Sequence, residues 1–168
     1  TAGSGNDITL ADAANDFSSV SVVSGKDVAL QDANALVLGA STISGTLDLT
    51  AVGAVTQSGA ISVVGDATID AGSGNNITLN NASNDFTTVV ITSGQNVALR
   101  DASAIDLGLS TVSGTLSVTT SGAITQSGAL SVTGATTLTA GSGNDITLAD
   151  AANDFSSVSI ARGSNVSL

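Results

Sequence analysis

Neither histidine nor cysteine occurs among the 168 residues, so the chain has no imidazole base, no thiol nucleophile and no soft ligand for a transition metal. Tryptophan and tyrosine are also absent and only three phenylalanines are present, which leaves almost no stacking platform for nucleic-acid bases or sugar rings. Basic residues are nearly missing. Lys26, Arg100 and Arg162 stand against 14 acids, all of them Asp, for a net charge of −11. That balance excludes the electrostatic footprint of a nucleic-acid-binding protein. Without glutamate, and with a single lysine, the chain is also short of the residues that build long helices. The lack of cysteine fits a protein that crosses membranes unfolded without forming stray disulfides.

What remains is mainly Ala, Val, Ile, Leu, Thr, Ser, Gly, Asn and Asp, with 42% of residues apolar. Such a chain is too hydrophobic to stay disordered, and its composition suits short strands joined by tight turns. The order of these residues repeats. The segment Thr1 to Val22 returns as Thr139 to Ile160 with only the last residue changed, and returns more loosely from Asp70 to Ile91. Phe17, Phe86 and Phe155 are therefore one position seen three times, at a constant 69-residue spacing. A fixed period of this length marks a solenoid, in which each unit buries its apolar face only by stacking on its neighbours.

Within the unit, apolar residues sit two apart in short runs: Ile77 and Leu79, Val89 and Ile91, Val97 and Leu99, Ile105 and Leu107, Leu116 and Val118, Leu130 and Val132. That is the period of a strand with one buried face. Between residues 67 and 134 the runs fall into three sets of three, beginning with ATID (67–70), NITLN (76–80) and TTVVIT (87–92). Glycines such as Gly108, Gly114, Gly128 and Gly134 punctuate the corners. The pattern predicts an all-β, three-sided parallel β-helix over residues 1–168, with three coils per 69-residue repeat and repeats at 1–69, 70–138 and, in part, 139–168. The average coil would hold about 23 residues, one third of the period. The turn-rich stretches Gly72 to Asn76 and Asn80 to Asp85 should stand out as longer loops on one side of the prism. The missing initiator Met and the stop in mid-unit at Leu168 lead to the expectation of a segment cut from a longer chain, with uncapped ends prone to stack end to end.

Candidate chemistry is sparse. The run Gly3 to Asp7, repeated at Gly141 to Asp145, is similar to the Gly-rich calcium repeats of RTX proteins. Those recur in nonapeptide steps, whereas this run recurs once per 69-residue unit and has Asn76 in place of the Asp, so it reads as a turn. Acid pairs such as Asp12 with Asp16 and Asp27 with Asp32 have the chemistry of an acid/base pair, yet Asp12 becomes Asn81 and Asp27 becomes Asn96 in the next copy. Only the positions of Asp16, Asp85 and Asp154, and of Asp32 and Asp101, persist. The three basic residues fall at non-equivalent positions, so no active site assembles and an enzyme is not expected; catalytic, metal and cofactor residues are none. Gln57 and Gln126 recur in an otherwise simple strand and read as corner residues bonding backbone at a turn. Asn34 reads as a turn residue tolerant of left-handed backbone. The remaining candidates for ligand contact are the loop residues Asn75, Asn76, Asn80, Asn81, Asn84 and Asp85.

The succession NDF, SG-x-DVAL-x-DA, LVLG-x-ST-x-SG-T-L, GA-(V/I)-TQSGA and AGSGNDITL resembles the shaft repeats of filamentous haemagglutinin-like exoproteins, secreted adhesins of bacterial two-partner secretion. The resemblance covers the whole chain. It implies a right-handed parallel β-helix, export through an outer-membrane transporter partner, and a secreted or cell-surface location. On that basis the expected function is a structural shaft that holds a binding region away from the cell. The alternative is a direct adhesive module whose longer loops contact a cell-surface or glycan ligand. No cofactor and no nucleic-acid partner are expected.

Overall fold

In the computed structural model, which describes residues Thr1–Leu168, the chain forms 19 strands and no helix. All the strand pairs are parallel, and the chain coils as a β-solenoid around one interior. The alternation seen in the sequence sets the inside and the outside. All twelve apolar residues named above are buried, and they belong to a single cluster of 34 that runs along the axis. The intervening residues of the same strands face outward, as Ala98 and Arg100 do in Val97–Asp101 and Ser117 and Thr119 in Leu116–Thr120, where exposure alternates residue by residue.

Most turns carry three strands; the first turn and the turn from Val89 to Leu107 carry two, with a single bridging glycine, Gly25 or Gly94, at the edge. One turn consists of Val28–Asp32 on the first broad face, Leu36–Leu38 on the second, and Ser41–Ile43 along the edge that joins them. In the next turn the edge strand does not stop at a corner. Ile61–Asp70 runs straight from the edge onto the first face, so hydrogen bonding collects the strands into two parallel sheets of ten and nine. Gly59 makes the approach to this edge possible: a Cβ there would lie 2.4 Å from the Ala40 nitrogen of the turn below, closer than any side chain tolerates.

The register gives shorter turns than a third of the period, and more of them. On the first face the chain steps from Val28 to Leu47, from Leu47 to Ala67 and from Ala67 to Val89, or about 20 residues a turn. Val97, which repeats Val28 in the next unit, does not join that face; it pairs with Ile77 and Leu116 on the opposite one. One unit therefore makes three and a half turns, and a position returns to the first face only after two units, as Ile146 does for Ile8 and Val166 for Val28. The reason lies in TTVVIT. Instead of closing the first coil as its third side, Thr88 to Ile91 pair with Asp66 to Ile69 on the first face, while Asp85 and Phe86 alone take the edge beside Ser62 and Val63. The extra strand adds a tenth side to the nine expected. Beyond it the edge strands Ser110–Val112 and the start of Leu130–Thr139 come after the first face instead of the second. The first face holds nine rungs, so at about 4.8 Å per rung the rod is about 38 Å long.

The three Phe positions differ in depth. Phe86 is 1% exposed, whereas Phe17 and Phe155 are only partly buried against the core. Phe86 has turns stacked on both sides of it, and the other two lie in the outer turns.

Candidate functional site

Both longer loops fall in the long turn between Ala67 and Val89, one bridging the two broad faces (72–76) and the other leading to the edge (80–84). Because a unit is three and a half turns, the corresponding loops of successive copies project from opposite faces, not from one side as the sequence suggests. The first loop turns at Gly72, whose φ of 75° lies in the left-handed region, and closes where Asn75 Nδ2 donates to the Ala71 carbonyl at 2.7 Å. Asn76 then caps the following turn, its Oδ1 accepting from the Asn96 N–H at 3.2 Å. Asp7 and Asp145 do the same for Asp27 and Asn165, at 3.4 and 3.0 Å. An amide oxygen accepts this bond as a carboxylate does, which explains why Asn replaces Asp in the middle copy. No group of three or more acids comes together to hold a metal ion.

The second loop is locked by a reciprocal amide pair. Asn84 is fully buried, and its Nδ2 donates to Gln57 Oε1 at 2.9 Å and to the Leu79 carbonyl at 3.1 Å. Its Oδ1 accepts from Gln57 Nε2 at 2.8 Å and from the Ile61 N–H at 3.0 Å. Two donors and two acceptor sites are all an asparagine has, so Asn84 has nothing left to offer a ligand. Gln57 is likewise saturated, donating also to the Gly59 carbonyl at 2.6 Å and accepting from the Asn81 N–H at 3.2 Å. It is a corner residue, as its recurrence suggests, but its main partner is an asparagine of the following turn. Gln126 and Asn153 repeat the pair.

The recurring acids are also consumed internally. Asp32 is fully buried with Oδ1 accepting the Phe17 N–H at 2.6 Å and Oδ2 the Asn34 N–H at 3.2 Å. Asp101 repeats this with the Phe86 N–H at 2.7 Å and with the N–H and hydroxyl of Ser103. The carboxylate of one turn thus anchors the Phe of the turn before it. Asp16 accepts from the Asn34 amide, Asp85 from the Ser103 hydroxyl, and Asp12 caps its own turn through the Ala14 N–H. Asp27 and Asp32 do not form a facing pair, because Asp32 is buried in the core and Asp27 sits at a corner, bonded to Thr46, while Asp12 and Asp16 accept from different partners, the Ala14 N–H and the Asn34 amide. Asn34 has no positive φ; its amide reaches across to the neighbouring turn instead. Of the six candidate loop residues, Asn80 is the one whose side chain is exposed without such a bond.

At the corner of Asp7 and Asp27, Lys26 Nζ lies 2.8 Å from Asp27 Oδ2 and 3.9 Å from Asp7 Oδ1. The hydrogen bond from Lys26, helped by the Thr46 N–H, holds the Asp27 carboxyl below its usual range, and the same contact raises Lys26. In the next copy the three positions are Asn76, Gln95 and Asn96, so charge is removed from all of them together.

Sequence position hides one further arrangement. Arg100 pairs in register with Thr119, Thr119 with Thr139, and Thr139 with Arg162, across four consecutive rungs of the second face. A bulge at Ala161 brings Arg162 rather than Ala161 opposite Thr139. The four side chains line a groove of about 370 Å³. Along the chain the two arginines are separated by nearly a full unit but occupy non-equivalent positions within it, and no signal short of the register would join them.

A family model described as Repeats of unknown function (DUF5649) matches residues 1–24, 25–93 and 94–161. The chain belongs to this family. The DUF5649 copies begin at Gly25 and Gly94, the two glycines that form isolated bridges to Ile43 and Val112 where the chain turns along the edge. No curated protein and no solved structure matches the chain.

Proposed function

We propose that these repeats form a non-catalytic structural shaft in a large secreted, adhesin-like bacterial exoprotein, exported through an outer-membrane transporter and displaying a binding region away from the cell. One observation carries the reading: almost every polar group that could serve as a site is spent on joining one turn to the next. Asn84, Gln57, Asp32 and Asp101 all bond across turns, over a core that is continuous from Val22 to Leu148. Backbone ladders and inter-turn latches resist bending and shear, and a net charge of −11 keeps neighbouring rods apart. The likeness of the motif succession to filamentous haemagglutinin-like shafts supports the secreted location.

The reading is tested by immunogold labelling of producing cells with antibodies against this chain. Label on the cell exterior, displaced from the outer membrane, is expected. Label confined to the cytoplasm overturns it. Scattering from chains carrying one or two added units tests the mechanical part: three and a half turns at about 4.8 Å add about 17 Å of length per unit. A smaller increment, or a chain that folds back, overturns the rod.

A further inference from the structure

We infer that the row Arg100, Thr119, Thr139, Arg162 is a binding groove for an acidic oligosaccharide lying along the solenoid axis. This goes beyond the shaft reading and does not depend on it. The chain has only three basic residues, and two of them face the same groove. Neither forms an ion pair; Lys26 accounts for both ion pairs in the molecule. In a protein of net charge −11, two unpaired guanidinium groups on one face make a local reversal of sign.

The chemistry of the row selects the ligand. Each guanidinium presents a fork of N–H donors suited to a carboxylate or sulfate. Between them Thr119 and Thr139 present hydroxyls, with Ser142 and Asn144 along the wall. The backbone positions of the two arginines are three rungs apart, about 14 Å. A pyranose ring is about as long as one rung spacing, so a sugar chain along the axis sets successive residues against successive rungs, acid groups on the arginines and hydroxyls on the threonines. A sugar can be held through its acid groups and hydroxyls alone, whereas a single-stranded nucleic acid is held largely by stacking of its bases, for which the groove has no aromatic side chain. Asp101 also borders the groove, but it is 1% exposed and its oxygens are held by Phe86 and Ser103.

The protein contains its own control. The same row one unit earlier, on the opposite face, reads Gln31, Thr50, Asp70, Ser93, with the same pairings. That row shares the strand pairing and lacks both cations, while its adjoining loop differs: the left-handed residue is Gly72 there and Gly143 beside the groove. Exchanging the arginines for their counterparts therefore changes the charge without touching the strand pairing, and Asp70→Thr in the reverse exchange gives up one bond, from the Gly72 N–H at 2.8 Å.

The experiment is titration calorimetry of the whole chain with hexagalacturonate, maltohexaose, monomeric galacturonate and sulfate at low ionic strength. Hexagalacturonate is expected to bind with one-to-one stoichiometry and to weaken as salt is added, while maltohexaose does not bind. Arg100→Gln with Arg162→Ser should lower affinity at least tenfold with an unchanged melting temperature. Gln31→Arg, Asp70→Thr and Ser93→Arg together should create a second site. Equal affinity in the double variant, or no binding by the wild type, overturns the proposal. Sulfate or the monomer binding as tightly as the hexamer overturns it as well, by reducing the groove to a site for an adventitious ion only.

Discussion

Replacing Asn84 with Ala removes four hydrogen bonds at once. The Ile61 N–H and the Leu79 carbonyl, both on fully buried residues, lose their partners, and the Gln57 amide loses two more. Gln57 is half-buried and can turn to water, but the two backbone groups cannot. At about 1–3 kcal/mol for each buried group left unmet, the expected cost is about 4 kcal/mol. With a urea dependence of about 2 kcal/mol per molar, the unfolding midpoint followed by circular dichroism should fall by about 2 M. Asn153 makes the equivalent bonds but is only half-buried in this chain, so water can replace them. Asn153→Ala should therefore cost no more than about half as much. A double-mutant cycle of Asn84→Ala with Gln57→Ala should show a coupling of at least about 1 kcal/mol. The reasoning is refuted if Asn84→Ala shifts the midpoint by less than about 0.5 M, equivalent to about 1 kcal/mol, or if the Asn153 variant is the more damaging.

Thr136 carries the one buried side-chain polar atom without a hydrogen-bond partner, so Thr136→Val should stabilise by about 1 kcal/mol in the same assay, and a loss of stability would contradict it. A Cβ on Gly128 would stand 2.3 Å from the Leu109 nitrogen, so Gly128→Ala should cost about 2–3 kcal/mol, whereas Gly74→Ala, with open space around it, should be neutral; equal midpoints would show that the stacked corners are not tight. Asp27 is held below its usual range by Lys26, so its contribution is present above the ordinary carboxylate pKa of 3.8 and is lost as pH falls through the lowered folded value. Lys26→Met should bring the NMR titration of Asp27 back up towards that ordinary value and remove part of the acid sensitivity, and an unmoved titration would assign the shift to Thr46 instead.

Much of the fold is legible in the sequence because the information is local. Alternation at Ile77 and Leu79, or Val97 and Leu99, fixes which side chains enter the core, whatever the neighbouring turn is. The reading of Gln57 as a corner residue followed from the same local pattern, and its bond to the Gly59 carbonyl is the part that pattern could reach. Its partner Asn84 is buried although it stands in a polar, turn-rich stretch, and an Asn in such a stretch gives no sign that the next turn will close over it.

By itself, then, the sequence determined a parallel β-solenoid built from a 69-residue unit, its buried residues and its corners. The number of turns in that unit was decided by tertiary structure. A strand with inward apolar residues at every second position satisfies the pattern equally well as the third side of one turn or the first side of the next, and only hydrogen-bond register places Val89 against Ala67. From that single choice follow the half-turn between copies, the projection of equivalent loops from opposite faces, and the alignment of Arg100 with Arg162. Inside and outside are set by a period of two along the chain, but neighbours across turns are set by how many residues close each turn, and that quantity belongs to the coil as a whole.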